Sequence, residues 1–258
     1  MNQSVVAKNV LEAAKPYLKD KTVVDLVVGI SLIACQLSDG SVGVSYVLRY
    51  NLPPSCSAFA YAKQAIGKSA EEVAGWLVEK EDCLGRAIGS SVLTAASQQV
   101  DIPDDDDKER LFGLDFTSED IVGMIGMIGP VAKVIEKKVK KLIIFDESVS
   151  ACGGNMEVCP MEKQPEILPT CTKMIITGTS VINGSIDGLL DMCKNATEIA
   201  MVGSSTPMYS QGFAGTNITR LAGSWWKNDN KDEIFRAISQ GAGIMEISPY
   251  MLKKVAFV

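Results

Sequence analysis

The sequence KMIITGTSVINGSID, residues 173–187, shows how the second half of this chain folds. An apolar, β-branched run without polar alternation ends at Gly, Thr and Ser, and a helical stretch follows. Runs of this kind are typical of strands covered on both faces, so the pattern predicts a parallel sheet with flanking helices. The same unit recurs, with apolar runs at Ile121–Ile128, Lys141–Phe145, Lys173–Thr177 and Glu198–Val202 and a weaker one near Thr219–Ala222.

Small polar and acidic residues follow each of these runs. In parallel sheets ligands bind outside the carboxyl ends of the strands, so these segments are the predicted ligand site. The candidate ligand-binding residues are Gly126, Gly129, Asp146, Glu147, Thr177, Gly178, Thr179, Asn183, Gly203, Ser204, Ser205 and Thr206.

The segments 177–185 and 203–207 are the strongest candidates. Their hydroxyls, amide and glycines offer neutral donors and close backbone approach, which suits a phosphate, a carboxylate or a sugar. The first segment could instead only cap a helix, with Asn183 or Ser185 as the cap. Trp225 and Trp226 either stack on a flat ligand or pack in an interface.

Two weaker signals lie at the first two runs. Gly126 and Gly129 do not form the dinucleotide fingerprint, since its tight first glycine pair is missing. A predicted helix over Pro130–Lys140 would direct free N–H groups toward an anion, unless the glycines serve only tight packing. Asp146 and Glu147 stand where Rossmann proteins hold ribose hydroxyls, or they are a solvated strand end.

Composition excludes several classes of function. The chain has 258 residues, of which 47% are hydrophobic and 22% charged, as in a globular protein. A net charge of −6 argues against nucleic acid or an anionic membrane as partner. No apolar run approaches the ~20 residues of a membrane span, and no signal-peptide core opens the chain. The expected location is the cytoplasm.

The chain contains no histidine. Ser-His-Asp and Cys-His catalysis are therefore excluded, and acid–base work would fall to Asp, Glu, Lys, Tyr or Cys. No nucleophile–base pair identifies a reaction, so whether the protein is an enzyme stays open.

Seven cysteines, an odd number in a leaderless chain, favour reduced thiols over a disulfide framework. Cys152 and Cys159 are the only pair on a predicted loop. With Met156 or Glu157 they could bind a soft transition metal such as Cu(I) or Zn(II). The alternative is a loop whose thiols are incidental, because the spacing matches no zinc knuckle.

The first half shows a different pattern. It predicts an opening helix, a strand over Thr22–Val28, a hairpin around Asp39-Gly40, and helices over Ala70–Glu79 and Leu84–Gln99. The acidic run that follows favours a solvated loop. We therefore predict an α+β domain over residues 1–103, a linker over 104–118 and a second domain over 119–258.

Several stretches resemble a known family. They are Val24–Gly29, Arg86–Leu93, Val122–Gly126, Ile175–Asp187, Val202–Pro207 and Leu221–Ser224. The first two resemble the N-terminal domain of DUF364 proteins, also catalogued as DUF4213, whose fold is like the small N-terminal domain of enolase. The others resemble the family's Rossmann-like C-terminal domain, named a putative heavy-metal chelation domain.

The resemblance implies two domains with a cleft between them. The leading hypothesis is a small anionic or nucleotide-like ligand in this interdomain cleft, with or without a metal ion. The alternatives are capture or insertion of a transition metal through Cys152, Cys159 and carboxylates, and a non-catalytic ligand sensor. A homodimer is one expected assembly, since the sheet edge of an enolase-like half often needs covering.

Overall fold

The computed structural model describes residues 4–52, 63–104, 110–148 and 158–258. The amino-terminal part contains α1 (Val5–Leu18), β1 (Val23–Val28), β2 (Leu32–Leu37), β3 (Val42–Tyr46), α2 (Ala70–Glu79) and α3 (Cys83–Ala96). Its three strands form an antiparallel sheet in the order β1-β2-β3.

Local sequence signals explain these elements. The turn between β2 and β3 places Gly40 at a φ of +87°, and the Asp39 carboxylate accepts the Ser41 N–H at 3.0 Å. Ser69 caps α2 by accepting the Glu72 N–H at 3.1 Å. Asp82 caps α3 in the same way. Caps of this kind satisfy backbone donors that have no partner within the helix.

Helix α3 packs very closely on β3. A Cβ atom on Gly43 would lie 2.0 Å from the Ser91 carbonyl oxygen and 2.3 Å from the Ala95 nitrogen. Only glycine fits at this contact, which fixes the position of α3 above the antiparallel sheet.

The carboxy-terminal part is built on a six-stranded sheet. Its elements are β4 (Ile121–Ile125), α4 (Gly129–Ile135), β5 (Lys141–Phe145), α5 (Gln164–Ile167), β6 (Lys173–Thr177), α6 (Thr179–Ile182), α7 (Ile186–Met192), β7 (Glu198–Val202), β8 (Arg220–Trp226), α8 (Lys231–Ser239), α9 (Ile244–Ile247) and β9 (Met251–Phe257). The order is β5-β4-β6-β7-β8-β9, with β9 antiparallel to β8 and the other neighbours parallel. The predicted α/β fold class, with a mostly parallel sheet and a separate α+β part, is confirmed.

Three strands, β5, β6 and β7, have the bounds that the sequence predicts. The first strand was predicted too long: β4 ends at Ile125 because Gly126 takes a φ of +88°, which strands do not adopt. The helix predicted over Pro130–Lys140 is also shorter, since α4 ends at Ile135. Strand β8 extends beyond the predicted run to Trp226 because β9 pairs along its whole length.

The two parts share apolar cores. The largest cluster of buried side chains joins α1, α2 and α3 to β6 and β7. A second cluster brings Trp226 and Ile234 against β2 and β3. These contacts hold the amino-terminal part against the carboxy-terminal sheet.

The segment predicted as a linker packs against this sheet at several described positions. The Lys254 ammonium forms an ion pair with Asp104 at 2.5 Å, and Leu114 is buried in the core below the sheet. Residues 105–109, which carry most of the acidic run, lie outside the described residues. The domain boundaries stay a prediction.

Among the helices in the described ranges, none combines the length and the apolar character needed to cross a bilayer.

Candidate functional site

The segments that follow β6 and β7 meet at the carboxyl edge of the sheet. A Cβ atom on Gly178 would lie 2.6 Å from the Thr206 nitrogen and 2.7 Å from the Ser205 carbonyl carbon. The Gly178 N–H also donates to the Val202 carbonyl at 2.8 Å. Glycine at position 178 therefore lets the two loops approach to contact distance.

The loop after β6 is held by its own polar groups. The Thr177 and Thr179 hydroxyls lie 3.0 Å apart, and the Ser180 hydroxyl donates to the Thr177 carbonyl at 2.7 Å. The Asn183 side-chain oxygen accepts the Ser185 N–H at 3.0 Å. That oxygen shapes the turn before α7, whereas neither Asn183 nor Ser185 caps α7 through its side chain.

The loop after β7 contains two buried hydroxyls that have no partner among the described residues. Gly203 takes a φ of +105°, and the turn is closed by the Thr206 N–H, which donates to the Gly203 carbonyl at 2.9 Å. Ser204 is 3% exposed and Thr206 is 1% exposed, and neither hydroxyl has a hydrogen-bond partner within the described ranges. Ser205 accepts the Tyr46 N–H at 3.0 Å, which joins this loop to the end of β3. Buried polar groups are normally paired, so the two hydroxyls need an explanation.

The segments after β4 and β5 lie at the same carboxyl edge of the sheet, next to the loop after β6. The Gly126 N–H donates to the Phe145 carbonyl at 2.8 Å, and a Cβ on Gly126 would lie 2.9 Å from the Thr177 Cβ. The Asp146 carboxylate accepts the Met127 N–H at 2.6 Å and the Ser148 hydroxyl at 2.5 Å. Asp146 therefore holds the turn after β4 in place. Glu147, next to it, is exposed.

The sheet has a topological switch point at β4. The chain runs from β4 outward to β5 and then crosses β4 to form β6 on its other side. Ligands of open parallel sheets bind in the crevice that such a reversal creates. A Cβ atom built on Gly129 would meet no atom of the described residues within 4 Å.

The amino-terminal part adds α3 to this edge. The Arg86 guanidinium donates from Nε to the Lys80 carbonyl at 2.8 Å and from Nη1 to the Ile182 carbonyl at 3.5 Å. Burial raises the pKa of the Cys83 thiol above its ordinary value, and the Asp82 and Glu147 charges add to this, while Arg86 opposes it. The sequence did not identify Arg86 as a site residue. The only sequence feature that includes Arg86 is the Arg86–Leu93 stretch, which resembles the family.

The predicted metal ligands are not brought together within the described part of the chain. Cys152 lies outside the described residues, whereas Cys159 is a free, half-buried cysteine whose N–H donates to the Ile144 carbonyl at 2.7 Å. No group of three metal-ligating side chains occurs among the residues that the structure describes. Burial raises the pKa of Cys35 and of Cys193 to about 12, so these thiols are core groups.

The two tryptophans pack rather than cover these loops. Trp226 is 2% exposed and contacts the apolar side chains between the two parts, and the Lys254 ammonium lies 4.1 Å from the Trp225 ring centre. Both line a cavity of about 420 Å³ near Asn228. A second cavity of about 310 Å³ lies between α1 and β9. Residues 177–185 and 203–207 line neither cavity, although Tyr209, further along the connection from β7 to β8, lines the second.

The fold and this edge define a two-part α/β protein with a candidate ligand site beneath α3. Comparison with known families identifies the group: residues 111–257 match DUF364, described as "Putative heavy-metal chelation". Residues 11–97 match DUF4213, which carries the same description. The chain belongs to the DUF364 family.

The chain is also similar in sequence to an uncharacterized archaeal protein. An uncharacterized protein of Methanocaldococcus jannaschii is 26% identical over 161 residues, which cover 61% of this chain and 60% of that protein. The match thus spans about three-fifths of the relative's length.

Two solved DUF364 structures, both of unknown function, have the same fold. The Pyrococcus horikoshii protein has a TM-score of 0.79 at 19% identity, covering 98% of this chain and 100% of its own. The Desulfitobacterium hafniense protein has a TM-score of 0.77 at 18% identity, covering 97% and 99%. At these identities the likeness concerns the fold alone.

Proposed function

We propose that this DUF364 protein binds a small anionic or nucleotide-like molecule between α3 and the carboxyl edge of the parallel sheet. The observation that carries the proposal is the loop after β7, where the buried Ser204 and Thr206 hydroxyls have no partner among the described residues. The loop after β6 contacts this loop at Gly178. A ligand would therefore meet hydroxyls and backbone donors from two strand ends at once.

The unpaired hydroxyls give this binding an energetic basis. An unsatisfied buried donor or acceptor costs about 1–3 kcal/mol, which is recovered when a partner arrives. Phosphate and carboxylate oxygens accept hydrogen bonds from hydroxyls, and charged acceptors make the stronger bonds.

The site has to open for a ligand to reach these groups. The Ser204 and Thr206 oxygens are shielded from solvent, and the Tyr46–Ser205 hydrogen bond closes the approach from β3. We infer that binding separates the loop after β7 from the amino-terminal part by a small amount. The predicted division into residues 1–103, 104–118 and 119–258 is part of this proposal, because it would let the two domains move relative to each other.

A ligand screen by thermal shift tests the proposal. The panel contains AMP, S-adenosylmethionine, inorganic phosphate, succinate and citrate, each with its uncharged analogue where one exists. A ligand at about one hundred times its Kd stabilises the folded state by about 2.7 kcal/mol, a readily measured increase in Tm. If no compound in the panel shifts Tm, the proposal fails.

Transition-metal capture is a second candidate, supported by the description that both family matches carry. Cys159 is available for it, since it is free and half-buried in the segment that leads from β5. Elemental analysis of the purified protein, with Cys152→Ser and Cys159→Ser beside wild type, tests this candidate. Stoichiometric metal that is lost in both variants supports it, and metal content unaffected by either substitution excludes these ligands.

A further inference from the structure

Arg86 extends from α3 toward the loop after β6. Its guanidinium lies 3.5 Å from the Ile182 carbonyl oxygen, and a Cβ on Gly184 would lie 3.5 Å from Nη1. Within the amino-terminal part, the Arg86 Nε donates a shorter hydrogen bond, 2.8 Å, to the Lys80 carbonyl. The amino-terminal part thus fixes the side chain and presents its outer end to the carboxy-terminal part.

The same turn of α3 also approaches the segment after β5. Cys83 is three positions before Arg86, and its thiol is within electrostatic reach of both Glu147 and Arg86. Arg86 therefore lies beside the turn after α6, in the part of the carboxyl edge that β6 forms.

The charge of Arg86 is not neutralised within the described residues. Its two hydrogen-bond partners among the described residues are neutral carbonyl groups, and no described carboxylate lies within ion-pair distance of its guanidinium. The longer contact, at 3.5 Å, exceeds the usual N–H···O range of about 2.7–3.2 Å, so it ties the two parts only weakly. The Nη nitrogens of Arg86 can therefore donate to a stronger, charged acceptor.

We infer that Arg86 is the residue that recognises the oxyanion of the ligand, a phosphate or a carboxylate group, at this part of the carboxyl edge. This inference rests on the proposed function. A guanidinium donates two parallel hydrogen bonds to such a group, which gives geometric specificity as well as affinity. The hydroxyls of the loops after β6 and β7 then donate to further acceptor atoms of the same molecule.

The test compares charged probes with uncharged analogues by titration calorimetry. AMP is measured against adenosine, and succinate against succinamide, so that the two arms separate a phosphate from a carboxylate. Wild type should bind one charged probe more tightly than its analogue. In Arg86→Gln the affinity for that probe should fall about tenfold or more, while the affinity for the analogue stays the same.

Two further variants separate recognition from structure. Arg236→Gln, an exposed arginine on α8, is the matched control and should leave both affinities unchanged. Arg86→Lys keeps the charge but loses the two-pronged donor, so its affinity for the charged probe should lie between wild type and Arg86→Gln. If Arg86→Gln does not fold, Arg86→Lys decides, and an affinity equal to wild type overturns the inference.

The outcomes also distinguish the inference from the proposed function. Wild type that prefers the charged probe, together with Arg86→Gln that keeps the same preference, overturns the role of Arg86 and leaves the site in place. Equal loss for charged and uncharged probes shows that Arg86 only supports the fold, which also overturns it. Wild type that binds none of the four probes overturns the inference together with the anion site.

Discussion

The Tyr46 backbone N–H donates to the Ser205 hydroxyl oxygen at 3.0 Å, which joins residues 159 positions apart. Tyr46 ends β3, and Ser205 lies in the loop after β7. The bond fixes the amino-terminal part against the edge where the candidate ligand site lies.

Ser205→Ala removes this bond without creating a clash. We expect the free energy of unfolding to fall by about 0.5–1.5 kcal/mol, the net value of one hydrogen bond. Urea denaturation measures this change. Ser239→Ala is the control, because Ser239 is exposed and bonds only within its own helix end. A loss equal to that of the control would mean that the Tyr46 contact does not stabilise the folded chain.

Thr206→Val replaces an unpaired buried hydroxyl by a methyl group. The variant should be as stable as wild type or more stable by about 1 kcal/mol, because an unsatisfied polar group is removed from the interior. Its thermal shift with the ligand found in the screen should decrease strongly. Stability and binding should thus change in opposite directions.

Thr216→Val is the matched control for this substitution. The Thr216 hydroxyl donates to the Phe213 carbonyl at 2.7 Å and lies before β8, at the opposite edge of the sheet. It should lose stability and keep the ligand shift. A Thr206→Val protein that loses stability as Thr216→Val does would show that the Thr206 hydroxyl is paired in solution.

Gly178→Ala brings a methyl group into the contact between the two loops. The added Cβ would lie 2.6 Å from the Thr206 nitrogen, a backbone atom that can move only with its loop. We expect a loss of about 1–3 kcal/mol in stability and a weaker ligand shift. Differential scanning calorimetry measures the first effect and the ligand screen the second.

Gly188→Ala provides the opposite case. A Cβ on Gly188 would meet no described atom within 4 Å, and the residue is exposed on α7. Alanine should therefore stabilise the protein by about 0.5–1 kcal/mol through its helix propensity. If both glycine variants changed the stability alike, close approach of the loops would not explain why residue 178 is a glycine.

The stability of the folded protein should decrease at acidic pH because of Asp120, at the amino edge of the sheet. Burial alone would raise its pKa, but hydrogen bonds from the Thr117 N–H and from the Thr172 and Thr117 hydroxyls, with the Lys173 charge, lower the pKa below the model-peptide value of 3.8. A lowered pKa in the folded state stabilises the protein above the unfolded pKa. That stability is lost as the pH falls through the folded pKa.

Asp120→Asn tests this predicted direction of the pH dependence of stability. The difference in unfolding free energy between wild type and variant should be constant above about pH 5 and should shrink below about pH 4. Urea denaturation at a series of pH values measures it. Asp191→Asn, at an exposed ion pair, should show no such trend. A difference that grows on acidification would contradict the assigned direction of the pKa shift.

The sequence predicted the parallel strands well because their signal is local. Each of β5, β6 and β7 is a five-residue apolar run that ends at glycine, a hydroxyl or an acid, and such runs need no distant partner to be recognised. The fold class and the convergence of residues at one sheet edge follow from strand polarity. The local signal was weaker for β8, whose full length depends on pairing with β9.

The sequence by itself determined which residues would stand at the carboxyl ends of the strands and which family the chain resembles. Only the tertiary structure decided that Arg86 approaches Ile182 across 96 positions and that Ser205 pairs with Tyr46. It also decided that Trp226 is buried between the two parts. These contacts depend on how α3 and the antiparallel sheet pack on the parallel sheet. The shapes of many side chains set that packing together, and no short stretch of sequence encodes it.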